Sequence, residues 1–209
     1  MSAGVDPKTQ RVQAKVASVY DQGDYRRAHF IYSKELAPIG DKYAQYMVGY
    51  MYLMGQGVEE DAVMASAWYR LAAERGAPEF VAVRDKLLSA FDASQLERSD
   101  AMYLDLRSRY SDVLLVMAEY ERELGDFRSS RTGSRLPASG GPVTIVDPRT
   151  GTSVSLEAYQ NRAMERLQSY LDFVAEKLGI EIPNSELSDE EIAALRGKIG
   201  DYLSVVDDR

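Results

Sequence analysis

One histidine and no cysteine occur among 209 residues, so the side chains that most often supply acid–base, thiolate and zinc chemistry are almost absent. His29 lies between Ala28 and Phe30 on a helical pattern and reads as a surface or half-buried structural residue. A serine hydrolase would need it as the base of a triad, and nothing else in the chain builds one. A zinc site would have to be made mainly of carboxylates, so no metal centre and no cofactor are expected. Two glycine-rich stretches, Gly55-Gln56-Gly57 and Ser139-Gly140-Gly141-Pro142, invite comparison with loops that cradle phosphates. Such loops follow a strand and open a helix. The first follows a helix instead, and the second precedes a predicted strand with no Lys-Ser or Lys-Thr after it, so both read as turn or linker. Glu59-Glu60-Asp61 and Asp189-Glu190-Glu191 stand at helix starts, where local electrostatics favours acids. The expectation is that the protein is not an enzyme.

Arg128, Arg131, Arg135 and Arg149 form a basic island in an acidic chain. They read either as a solvated linker or as a surface that docks on the acidic C-terminal segment or on an acidic partner. The chain as a whole is 45% hydrophobic and 28% charged, which is ordinary for a globular protein. Its net charge of -8 and pI near 4.8 oppose nucleic acid or an anionic membrane surface as the main partner. No window approaches the roughly 18 apolar residues needed to span a bilayer. Residues 1–7 show no basic segment followed by an apolar one, so no export signal is read in the chain as given.

The elements that must position these residues are mostly helices. Val12, Val16 and Val19 share one face of a helix over residues 8–22, and Ala28, Tyr32, Leu36 and Ala37 make the buried stripe of a second, ended by Pro38-Ile39-Gly40. Asp41 is the expected N-cap of a helix over 43–54. Further helices are expected at 79–91, at about 94–110 behind a capping box at Ser94–Glu97, and at 112–124. Residues 125–142 read as a flexible linker. Residues 143–146 and 152–155 read as a hairpin, 156–178 as a long amphipathic helix, and Ser188–Glu191 as the capping box of the last helix.

A repeat underlies the first half. Tyr32, Ala37 and Gly40 recur 36 residues later as Trp68, Ala73 and Gly76, and Leu36 recurs as Ala72. Ala44, Gly49, Ala65, Ala72 and Ala73 are small where paired helices must approach, Val48, Tyr52 and Trp68 fill the volume between them, and Gly55-Gln56-Gly57-Val58 makes the turn. This stretch resembles a Sel1-like repeat, a relative of the tetratricopeptide repeat. The resemblance implies an all-α fold: a short right-handed α-solenoid over 8–110 with degenerate flanking repeats, then a helix and linker at 111–142, then a β-hairpin and helical region at 143–209. It further implies a scaffold or adaptor that binds a protein or peptide on its concave face, in bacteria often in envelope-associated complexes, which favours the periplasm.

The family pattern assigns Val48, Gly49 and Tyr52 to the core. Tyr43, Tyr46, Met47, Tyr50 and Met54 are then left either for burial by neighbouring helices or for a partner-binding groove of the Tyr- and Met-rich kind. Two alternatives stand beside the scaffold. One is a homodimer paired through the C-terminal helices and hairpin. The other borrows from cysteine-rich Sel1-like proteins linked to binding or hydrolysing peptidoglycan-related substrates, though this chain lacks the cysteines.

Overall fold

The computed structural model describes residues 7–132, 144–147, 150–182 and 184–206. The chain divides into two compact units, one formed by Met1–Leu114 with Gly200–Arg209 and the other by Leu115–Ile199.

The first unit begins with two helical pairs, α1 (Pro7–Asp21) with α2 (Tyr25–Ile31) and α3 (Lys42–Leu53) with α4 (Ala62–Ala72), after which α5 (Pro78–Leu88) and α6 (Ala93–Tyr110) each pack on α4. Short polar caps and left-handed glycines set several of the boundaries. Asp24, Asp41 and Asp61 accept hydrogen bonds from the first free N–H groups of α2, α3 and α4. After α2 the chain widens into a π turn over Tyr32–Leu36 and tightens into a 3-10 turn holding Pro38, which has no N–H with which to continue the helical ladder. Gly40 and Gly76 close the equivalent 3-10 turns of successive pairs, at φ of 80° and 72°.

The core joins these pairs through Val16, Ile31, Leu36, Val48, Met51 and Leu71, with Tyr32 and Trp68 buried at equivalent repeat positions. Trp68 stacks on Tyr110 at 5.8 Å between centroids. Two glycines permit close approach. A Cβ at Gly49 would lie 2.8 Å from Cδ1 of Tyr69 and 3.0 Å from the Ala65 carbonyl oxygen. One at Gly57 would lie 2.5 Å from the backbone of Tyr25, so the turn of the second pair is seated directly on the start of α2.

A buried charge network adds direction to this packing. Lys42 donates to Glu74 at 2.9 Å and to the Leu71 carbonyl at 3.0 Å, and lies 3.3 Å from Asp112. Arg75 grips both oxygens of Asp112 at 2.8 Å, and Ser111 donates to Glu74. Because Lys42, Glu74 and Asp112 are each at most 7% exposed at the side chain, their attraction escapes most solvent screening.

The capping box of α6 is Asp92 with Gln95, not Ser94 with Glu97. The Asp92 carboxylate accepts from the Gln95 N–H at 2.8 Å while the Gln95 side chain accepts from the Asp92 N–H at 3.0 Å, which satisfies the same two donors two residues earlier.

The second unit contains most of α7 (Asp112–Thr132), the antiparallel hairpin β1 (Thr144–Val146) and β2 (Ser153–Ser155), α8 (Leu156–Leu178) and most of α9 (Asp189–Leu203). Residues 125–132, expected as linker, continue α7. The reason is a stripe invisible to composition: Met117, Tyr120, Leu124 and Phe127 recur at helical spacing and are all buried. The remainder of the expected linker, 133–142, lies outside the described residues. Tyr159, Ala163, Leu167, Leu171 and Val174 form the buried stripe of α8, against which both strands of the hairpin rest. The Tyr120 hydroxyl accepts from the Leu187 N–H at 2.9 Å and donates to the Ser185 carbonyl, fixing the connection into α9.

Candidate protein-binding groove

Helices α1 and α3 and the π turn between them enclose a groove of about 270 Å³ in the first unit. Val16, Leu36 and Met47 supply apolar surface, and Tyr20, Tyr32 and Tyr43 supply rings with polar tips. Gln13 and Ala17 approach from α1, and carboxylates enter from Asp21 and Asp41. The Gln13 amide donates to Asp41 at 2.7 Å, so the residue that caps α3 is also held to α1. The Tyr20 hydroxyl donates to Gln56 at 2.7 Å, and its ring meets Tyr25 edge to face. Burial pushes the Tyr32 phenol up to about 12, helped by Tyr43, Tyr20, Asp41 and Asp21. Burial also raises Tyr20, with Tyr50 next in effect.

The five residues expected to bind a partner divide. Tyr43 is 58% exposed and lines the groove. Met47 belongs to the core at 7% exposed and also lines the groove, because its place on α3 faces the helices of the preceding pair. Tyr46 stacks on Tyr69 at 5.3 Å and on Phe80 at 5.5 Å, so its ring joins α3 to α4 and α5, with Tyr50 of the same helix alongside at 6.4 Å. Met54 is exposed at the C-cap of α3, away from the groove lining. The aromatic excess of α3 thus serves packing on one side and the groove on the other.

Most of the groove was missed from sequence. Gln13, Ala17 and Tyr20 fall at i, i+4 and i+7 on α1, a stripe flanking the valine stripe, and that adjacency was the available signal.

The basic island is resolved in part. Arg128 donates to Asp189 at 2.9 Å and to the Leu187 carbonyl at 2.6 Å, and Arg131 reaches Glu186 at 2.9 Å, all within the second unit. Arg135 and Arg149 lie outside the described residues. His29 meets the Tyr52 ring edge to face at 5.3 Å, and burial followed by Lys34 lowers its pKa. Among the described residues no group of three acidic or histidine side chains could hold a metal ion, and no helix is long and apolar enough to cross a membrane.

Comparison with known proteins agrees with the α3–α4 geometry. Residues 42–76 match the family model of the Sel1 repeat. No curated protein and no solved structure matches the chain. The match begins at Lys42 and ends at Gly76, so it takes in α3, the glycine turn seated on α2, and α4 with its 3-10 close. Sel1 repeats are non-catalytic units that generally mediate protein–protein interaction, and residues 42–76 of this chain form one such repeat.

Proposed function

We propose that the protein is an interaction scaffold whose α1–α3 groove holds a segment of a partner protein. The observation that carries this reading is the size and lining of the groove. Small-molecule sites typically enclose about 300–1,000 Å³. At about 270 Å³, open and ringed by tyrosines, this one suits an anchoring side chain or two from a peptide better than a whole cofactor. Tyrosine offers a large, stiff contact area and a hydrogen-bonding tip, a combination enriched at protein interfaces.

Ala17 is exposed at the groove, so Ala17→Phe fills it without entering the core. Peptides selected on the wild-type chain from a random phage-displayed library are expected to bind Ala17→Phe at least about tenfold more weakly, with the far-UV circular dichroism unchanged. Selected peptides that bind both chains equally would place recognition elsewhere. A dimer in analytical ultracentrifugation that Ala17→Phe converts to monomer would make a second copy of the chain the occupant, against the partner-protein reading.

A further inference from the structure

Asp21 is the last residue of α1, and folding does not explain a carboxylate there. The free carbonyls of a helix C-terminus carry partial negative charge and favour cations. Yet α1 has no basic residue in its last turn, and among the described residues the Asp21 carboxylate has neither a hydrogen bond nor an ion pair. It lines the groove instead.

Tyr32 is 3% exposed and lines the same groove. Its hydroxyl makes no hydrogen bond among the described residues and is not sealed from solvent, so its oxygen is free to accept from a ligand in the groove. The groups that act on this phenol are Tyr43, Tyr20, Asp41 and Asp21, with no cation among them. Among the described residues no lysine or arginine lines the groove.

Two carboxylates and two tyrosine tips around an apolar floor complement a cation carried on an aliphatic stem. Lysine and arginine lay such stems on apolar surface while the charged head seeks acceptors, and both heads are attracted to tyrosine faces. Resting on the groove as the binding site, we infer that its occupant is a basic segment of the partner. One lysine or arginine lies on Val16, Leu36 and Met47 and delivers its charge to Asp21, with the hydroxyl oxygens of Tyr32 and Tyr43 as further acceptors.

Fluorescence polarisation with four pools of labelled decapeptides tests this. Each pool fixes Lys, Arg, Gln or Glu beside a leucine in an alanine, serine and glycine background, and each is titrated with the full chain and its variants. The Lys and Arg pools are expected to bind about five- to tenfold more tightly than the Gln pool, and the Glu pool more weakly still. Asp21→Asn brings the Lys and Arg pools down to the Gln level and leaves the Gln pool unchanged. Asp21→Lys transfers the preference to the Glu pool. Both variants melt no lower than the wild type, since each removes an acid from a helix C-terminus. Equal binding of the Lys and Gln pools, abolished by Ala17→Phe, overturns the basic-segment inference and leaves the groove standing. An Asp21→Asn chain that keeps the full preference does the same. Binding of every pool that is indifferent to Ala17→Phe, or binding of none, overturns the groove as well.

Discussion

Replacing Gly57 with alanine separates two reasons for a glycine that usually act together. Gly57 has φ of 75°, and an added Cβ would meet the Tyr25 carbonyl carbon and oxygen at 2.5 Å and the Arg26 nitrogen at 2.6 Å. The left-handed conformation alone costs an L-residue about 1–2 kcal/mol. Overlap with backbone that cannot rotate aside adds about 1–3 kcal/mol, the usual range for overpacking. The sum, about 2–5 kcal/mol, is a large part of the 5–15 kcal/mol that holds a typical domain together. Gly76 is the internal control: its φ is 72°, but a Cβ there would meet nothing within 4 Å, so Gly76→Ala should show only the conformational part. Trp68 is the single tryptophan and is buried in the first unit, so its fluorescence during urea unfolding reports that unit alone. The expected result is a Gly57→Ala midpoint clearly below that of Gly76→Ala, with equal slopes. Equal midpoints would show that the turn does not bear on α2, and the seating of one pair on the next would have to be abandoned.

Three further outcomes follow from the same unit. Gly49→Ala, which is not at positive φ, should cost about 1–3 kcal/mol through contact with Tyr69 and Ala65, read from the same Trp68 transition. Lys42→Met should cost about 3–5 kcal/mol by leaving Glu74 buried without its ammonium partner, and the double variant Lys42→Met, Glu74→Leu should be less destabilised than the single one. His29 has a folded pKa below its ordinary 6.5, so the unfolded chain takes up a proton first as pH falls. Stability of the first unit should therefore be fully present above pH 6.5 and decline below it, and His29→Gln should flatten that decline when urea midpoints at pH 7.5 and 5.5 are compared.

Where the sequence was legible, local chemistry and long-range packing asked for the same residue. Gly40 and Gly76 sit at equal offsets because each closes a helix in the left-handed conformation, and Asp41 caps α3 from its side chain alone. Tyr32 and Trp68 occupy equivalent buried sites, so the repeat was visible without knowing its neighbours. Legibility failed where two rules competed locally. Asp92 with Gln95 and Ser94 with Glu97 both have capping-box spacing, and only the observed hydrogen bonds select the first. Gly125 and the polar residues after it resemble a linker, yet Phe127 is buried and Arg128 is tethered to Asp189 and Leu187 by contacts about sixty positions away in the chain. The groove was hidden for the same reason. Tyr20 and Tyr43 line it together from different helices, and a search along α3 alone credits that helix with a surface it only half owns.

That shared ownership has an evolutionary reading. The segment that matches the Sel1 repeat begins at Lys42, whereas Gln13, Ala17 and Asp21 precede it and stand outside the hydrophobic core. If the groove binds as proposed, substitutions at those three positions would redirect what is bound while the repeat keeps its shape, its glycines and its buried charges. On the proposed reading of the groove, two chains with the same Sel1 signature would prefer different peptides, their preference lying at the junction between repeats, where a single-repeat signature carries no information.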